Sequence, residues 1–177
     1  MWWRRRIDRA VAQTDDSCVD VVLLPSTVLT DDVIELRLLH IMGPENGATR
    51  PTNEQFLTAI PEYRFAIHRR SDGLRVGRIH IRRTQDEHVI RSLGHSGYAI
   101  DEARRRNGYA TRAVRLIVGL ARYWGVLPLW ILIEPENIAS RRTVERAALI
   151  LIDIVDSSPE AVSLGSGYKI CRYQIAE

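Results

Sequence analysis

Cysteine, lysine and long apolar runs are what this chain of 177 residues has least of. Its two cysteines, Cys18 and Cys171, stand near opposite ends with no metal or redox spacing. They supply no disulfide framework, and a reduced, cytoplasmic setting is the expectation. His40, His68, His80 and His88 form no metal-ligand pattern, so no metal is expected. No apolar run approaches the roughly 20 residues that span a bilayer. The opening M-W-W-R-R-R is basic, but Asp8 arrives before any apolar h-region, so no secretory signal is expected. No G-K-[ST] follows any glycine turn, which excludes a P-loop, and the three-glycine dinucleotide spacing is missing too. Internal repeats and low-complexity segments are also lacking.

Lysine is almost absent: Lys169 stands alone, and arginine carries the positive charge. The net charge is only +3, with 22 acidic residues scattered among the basic ones. A nucleic-acid binder gathers its cations on one face, so neither nucleic acid nor a membrane is an expected partner. The 45% hydrophobic and 27% charged fractions are those of an ordinary globular domain. The length suits one core. Residues 1–18 read as an N-terminal extension and residues 19–177 as a single domain. Trp2, Trp3 and Ile7 read equally as a groove cap, a subunit contact or a frayed basic end.

Val19–Leu24 is a strand candidate bounded by Pro25. Thr30-Asp31-Asp32 offers an N-cap, and Val33, Leu36 and Leu38–Ile41 recur at helical spacing, so a helix ending at Gly43-Pro44 is expected. Pro51–Gln55 opens a second, with Thr52 and Gln55 matching a capping box. Tyr63–His68 and Leu74–Arg82 alternate around the hairpin turn Ser71-Asp72-Gly73. His88–Ile100 reads as a third antiparallel strand. Ala110–Trp124 carries a broad apolar stripe and stops at Gly125. Pro128–Ile133 is a nearly continuous apolar strand. Asn137 caps the next helix, and Leu149–Val155 and Tyr168–Ile175 are two closing strands.

The stretch Tyr98–Arg115 organises the rest. It reads as a strand end, an arginine- and glycine-bearing turn, and a helix start. Such a start presents unpaired N–H groups and the positive end of the helix dipole, a site for phosphate. Gly108 permits close backbone approach. Arg104, Arg105, Arg106 and Arg112 add permanent charge.

Arg105, Gly108 and Ala110 fill the pattern [RQ]-x-x-G-x-[GA], and N-G-Y-A-T follows the arginines. This loop resembles the acyl-CoA pyrophosphate loop of the GNAT superfamily of N-acetyltransferases, in its G-Y-A-T branch. E-N-I-A-S-R-R-T-V-E-R downstream resembles the GNAT segment N-x-x-[SA] with its helix. G-H-S-G-Y and the closing Y-K-I-C-R-Y-Q-I are similar to a branch of small acetyltransferases. The resemblance runs from Val19 to Ile175. It implies an α/β GNAT fold: a central, mixed, mostly antiparallel sheet of about seven strands, about four helices, and a V-shaped split between parallel strands that binds CoA. It also implies acetyl-CoA as co-substrate, direct transfer to an amine, and two helices after the first strand that wall the acceptor cleft.

On the same footing, Arg105, Arg106, Asn107, Gly108, Tyr109, Ala110 and Thr111 are the expected pyrophosphate contacts. The pantetheine arm is expected at Ile100, with Asn137 and Ser140 across from it and an oxyanion donor near the backbone of Ala99. His95 stands where related branches carry a glutamate base, and a histidine accepts a proton near neutral pH. The position of the usual acid tyrosine is Val144, leaving Ser140, Tyr173 or solvent to protonate the thiolate. Acids dense in the wall segments and beside the asparagine, Asp32, Glu35, Glu134 and Glu136 among them, suit a cationic acceptor. The acceptor expected first is a small-molecule amine, an aminoglycoside-type antibiotic being the concrete candidate. A protein N-terminus, as in ribosomal-protein acetyltransferases, is the alternative. A non-catalytic acyl-CoA-binding module is the third reading. A homodimer is compatible with all three.

Overall fold

The computed structural model describes residues 27–42, 60–163 and 165–175. The expected strand Val19–Leu24, the helix opening at Pro51 and the tryptophan-bearing extension lie outside the described residues. Among the described residues, eight strands form two antiparallel sheets. The first holds β1 (Val28–Thr30), β2 (Ile34–Met42), β3 (Glu62–Arg69), β4 (Arg75–Arg82) and β5 (Ser96–Ile100) in that spatial order. The second holds β6 (Leu129–Ile133), β7 (Ile150–Asp156) and β8 (Lys169–Ile175), with β8 in the middle. The described helices are α1 (Glu87–Leu93), α2 (Tyr109–Tyr123), α3 (Ile138–Arg146) and α4 (Pro159–Ser163), with a 3-10 turn at Glu102–Arg104.

One face of the first sheet packs against α2. Leu36, Phe65, Ile67, Val76, Ile79 and Ile81 meet Ala113, Val114, Ile117 and Leu120 in one buried cluster. The stripe read from the sequence is therefore the core face of α2. Gly125 ends that helix region at φ +67°, where a left-handed residue is wanted.

Two expectations fail here. Residues 33–41 are not a helix but the second arm of a hairpin. Asp31 Oδ1 accepts the N–H groups of Val33 and Ile34, each at 2.8 Å, which is cap chemistry spent on a turn. Ile34, Leu36 and Leu38 are buried with a period of two. A bulge between Leu38 and His40 then turns Ile41, opposite Tyr63, onto the core face. The extra residue spaces Leu38 and Ile41 three apart and imitates a helical stripe.

His88–Ile100 is likewise not one strand. Asp86 caps a short helix by accepting from the N–H groups of His88 and Val89, and Gly94 ends it at φ +65°. Only Ser96–Ile100 pairs with β4.

Candidate active site

β5 and β6 run side by side without pairing along their length. Their beginnings are pinned together. The His95 N–H donates to the Trp130 carbonyl at 2.8 Å, and the Trp130 N–H donates to His95 Nδ1 at 3.0 Å. Beyond that point no backbone bond joins the two strands among the described residues, and the two sheets part into a split.

The polarity of the split follows from strand pairing. The Arg82 N–H donates to His95 O and the Asp101 N–H to Val76 O. Antiparallel pairs alternate, so the His95 carbonyl, the backbone groups of Gly97 and Ala99, and the Asp101 N–H turn toward β4, while the His95 N–H crosses to Trp130. Ser96, Tyr98 and Ile100 turn theirs toward β6, into the split. Consistently, a side chain at Gly77 of β4 would put its Cβ 2.4 Å from Ala99 O. The Ala99 N–H thus faces β4, and the neighbouring N–H that faces the split is that of Tyr98.

At the open end stands the arginine turn. Arg104, Arg105, Arg106, Asn107 and Gly108 are all exposed. Gly108 precedes α2 at φ +76° and provides no side-chain cap, and Arg106 also sits left-handed at φ +66°. A left-handed arginine is strained, and left-handed residues just before a helix start are the backbone geometry of an anion nest. Nothing lies within 4 Å of where a Cβ on Gly108 would be, so the glycine serves a conformation and an open approach. Asn107 braces the turn, its side-chain amide donating to the carbonyls of Arg104 and Arg105 at 3.1 and 3.0 Å. Arg105 Nε donates to Ile100 O at 3.3 Å, tying the turn to the end of β5. Tyr109 turns its ring inward, its hydroxyl 3.5 Å from Arg69, so its contribution to the nest is its backbone N–H. Ala110 and Thr111 complete the first turn, and Thr111 Oγ1 donates to Thr143 O at 3.4 Å. Arg112 belongs elsewhere: it grips Asp31 at 3.0 Å and Asp32 at 2.7 Å.

The far wall comes from α3. Asn137 caps it, its side-chain oxygen accepting the Ser140 N–H at 3.1 Å. The Ser140 carbonyl accepts from the Tyr98 hydroxyl at 3.1 Å, joining β5 to α3.

Several candidates are occupied otherwise. His95 is fully buried, and its Nε2 lies 3.2 Å from Thr84 O. Since Nδ1 accepts from Trp130, Nε2 carries the hydrogen and donates. Burial pushes this imidazole's pKa down. With both nitrogens committed to backbone, His95 is the pin of the split and offers no free acceptor for a substrate proton. Tyr173 is fully buried; it receives Arg141 Nε at 3.1 Å and donates to Glu145 at 2.8 Å, so its proton is committed beneath α3. Of the acidic candidates, Asp32 serves Arg112, and Glu35 accepts from Arg37 Nε at 2.6 Å. Glu134 accepts the Gly167 N–H at 2.9 Å. Glu136 is exposed on the turn before Asn137.

A polar cluster that the sequence did not single out lies on the face away from α2. Glu62, buried at the start of β3, receives Arg64 at 2.6 Å and Arg82 at 2.7 Å. Burial pushes its carboxyl up, but His80, Arg82 and Arg64 outweigh that and hold it below the usual range. His80 Nε2 is 4.0 Å from Glu62. Arg82 reaches on to the carbonyls of Leu93 and Gly94, each at 3.4 Å. Next to them opens a cavity of about 120 Å³ lined by Arg91, Ser92, Leu132, Ser157, Ser166 and Ile170, among others. The alternation of β3 and β4, which puts Glu62 and Arg64 opposite Arg82 and His80, was the signal that could have found the cluster.

The comparisons agree with this geometry. A family model described as the GNAT acetyltransferase domain matches residues 38–149. The chain therefore belongs to the GNAT acetyltransferase family, and it is an acetyl-CoA-dependent acetyltransferase. A Vibrio cholerae protein with the provisional name of ribosomal-protein-serine acetyltransferase shares the fold at 16% identity and a TM-score of 0.61, over 88% of this chain and 100% of its own. RimL, a ribosomal L7/L12 alpha-N-protein acetyltransferase, matches at 13% identity and 0.58, over 85% and 94%. The microcin C7 self-immunity acetyltransferase MccE, solved with acetyl-CoA and AMP, matches at 15% and 0.52, over 66% and 61%. Among curated proteins none matches this sequence. No described helix is long and apolar enough to cross a membrane.

Proposed function

We propose that this enzyme moves the acetyl group of acetyl-CoA directly to a primary amine of a small cationic molecule. The observation that carries acyl transfer is the split. The backbone groups of Tyr98 and the Ile100 N–H face β6 across it, and the arginine nest stands at its open end. Arg104, Arg105 and Arg106 with the free N–H groups before α2 suit a pyrophosphate. Tyr98 and Ile100 suit the amide-bearing arm, and the Tyr98 N–H suits a developing oxyanion. Acetyl-CoA supplies an activated thioester, so no covalent enzyme intermediate is needed.

The cavity beside Leu93 gives the small-molecule acceptor little support, since it admits only a few heavy atoms, the Ser157 hydroxyl donates to Gly167 O and the Ser92 hydroxyl is paired with Ser158; the reading rests on the sequence resemblance. The acidic rim gives less support than the sequence promised, since only Glu136 of its four named members lacks a partner described above. A second reading, acetylation of a protein N-terminus, is favoured by the fold shared with RimL. Thiol release from acetyl-CoA against aminoglycosides, polyamines and short peptides decides between them. Turnover confined to the peptides would replace the first reading with the second.

A further inference from the structure

The geometry points to His80, backed by Glu62, as the group that takes the proton from the attacking amine; this rests on the acetyl-transfer reading of the split. His80 lies on β4 directly opposite Gly97 of β5. A side chain at Gly97 would put its Cβ 2.9 Å from His80 Cε1, so the ring rests on the strand that borders the split. It does so on the face away from α2. On the other face Tyr98 is bonded to Ser140 and Thr111 to Thr143, which ties β5 and α2 to α3. An amine reaches a thioester held between β5 and β6 from the side of His80.

The His80 side chain is 27% exposed. Its Nε2 is buried without a hydrogen-bond partner. Buried polar atoms are nearly always paired, and the exceptions mark a role beyond packing. His95 supplies the contrast within the same chain, with both nitrogens spent on backbone. Around His80 stand Glu62 and Arg64 from β3 and Arg78 and Arg82 from β4, while β5 brings only Gly97 and Ser96. Burial and the arginines push the imidazole down to about 4 against the pull of Glu62, so it is neutral at pH 7.

In the step, the amine nitrogen bonds to the thioester carbon as its proton passes to His80 Nδ1. The resulting imidazolium holds Nε2–H toward Glu62. The C–S bond breaks, and the imidazolium returns the proton to the departing thiolate, so the reaction closes as N-acetylamine plus CoA thiol. Glu62 is then a positioning residue, stabilising the imidazolium through Nε2.

The test has two arms. In protein labelled with ¹⁵N-histidine, saturating acetyl-CoA should move the His80 ring resonances while leaving those of His68, in the β3–β4 hairpin, in place. Binding that leaves His80 unmoved overturns the proposal and spares the acetyl-CoA reading; no binding at all overturns both. In the second arm, thiol release is followed with water and with hydroxylamine as acceptors. His80→Gln should slow it on the order of 10²-fold, the usual worth of a general base, with the KM for acetyl-CoA within about twofold. Glu62→Gln should lower kcat and move the acid limb of the pH profile to lower pH. His80→Asn and thermal melts guard against a folding defect. Folded His80 variants that keep the wild-type rate overturn the proposal.

Discussion

At the scale of single residues, two histidines of one strand pair have opposite fates. His95 joins three segments through Trp130 and Thr84, so His95→Ala leaves a buried donor and a buried acceptor unpaired. That change should cost roughly 2–4 kcal/mol in a urea titration. Both rings have pKa values lowered by burial, His80 to about 4 and His95 in the same direction. Their unfolded value is near 6.5, so the unfolded chain takes up protons first as pH falls. For His80 the contribution to stability is complete above about pH 6.5 and is lost between there and about pH 4; for His95 it is lost in the same direction as pH falls below the unfolded value. Urea midpoints at intervals from pH 7.5 to 4.5 should fall across that window, and less steeply in His80→Gln. Gly108 is the third telling residue. With no neighbour near its missing Cβ, Gly108→Ala strains only the left-handed backbone, by about 1–2 kcal/mol. On the proposed reading it should weaken acetyl-CoA binding tenfold or more in calorimetry, because the methyl would stand in the open space that the pyrophosphate approaches.

Elements explain where the sequence could be read and where it could not. The turn before α2, the stripe of α2, the cap at Asn137 and the hairpin at Gly73 are local chemistry, fixed by residues within a few positions of one another. They stand as expected. The hairpin of β1 and β2 was illegible because its bulge is defined by a partner strand that comes about twenty residues later. Asp31 has the same bonding habit in a turn as at a helix start. Likewise Arg112 sits in the charged run beside the nest, and only the folded hairpin shows it turned to Asp31 and Asp32. This separates two arginines that look alike in sequence. Arg112→Ala should lower stability by about 1 kcal/mol and leave the affinity for acetyl-CoA within twofold. Arg106→Gly should do the reverse: it frees a strained left-handed backbone position and removes an exposed charge from the nest. Calorimetric affinities of the two variants, beside their melting temperatures, check the assignment.

For the whole molecule, the two sheets meet through few direct bonds. Among the described residues, the backbone link between β5 and β6 is the His95–Trp130 pair, with Tyr98–Ser140 bridging β5 to α3. A ligand lying in the split would add bonds to both walls at once and so couple the sheets. Binding only to the folded state stabilises by about 2.7 kcal/mol at a hundredfold excess over Kd, which for a domain of this size is a rise of roughly 5–10 °C in melting temperature. On the proposed reading adenosine 3′,5′-bisphosphate would reach the nest but not the split, so it should give the smaller rise. Amide exchange locates the difference. The Ala99 N–H faces β4 and should exchange slowly with or without ligand, whereas those of Tyr98 and Ile100 face the split and should slow only when acetyl-CoA is added. If Ala99 is instead the amide that acetyl-CoA protects, the strand alternation has been placed one residue out, and the oxyanion donor moves with it.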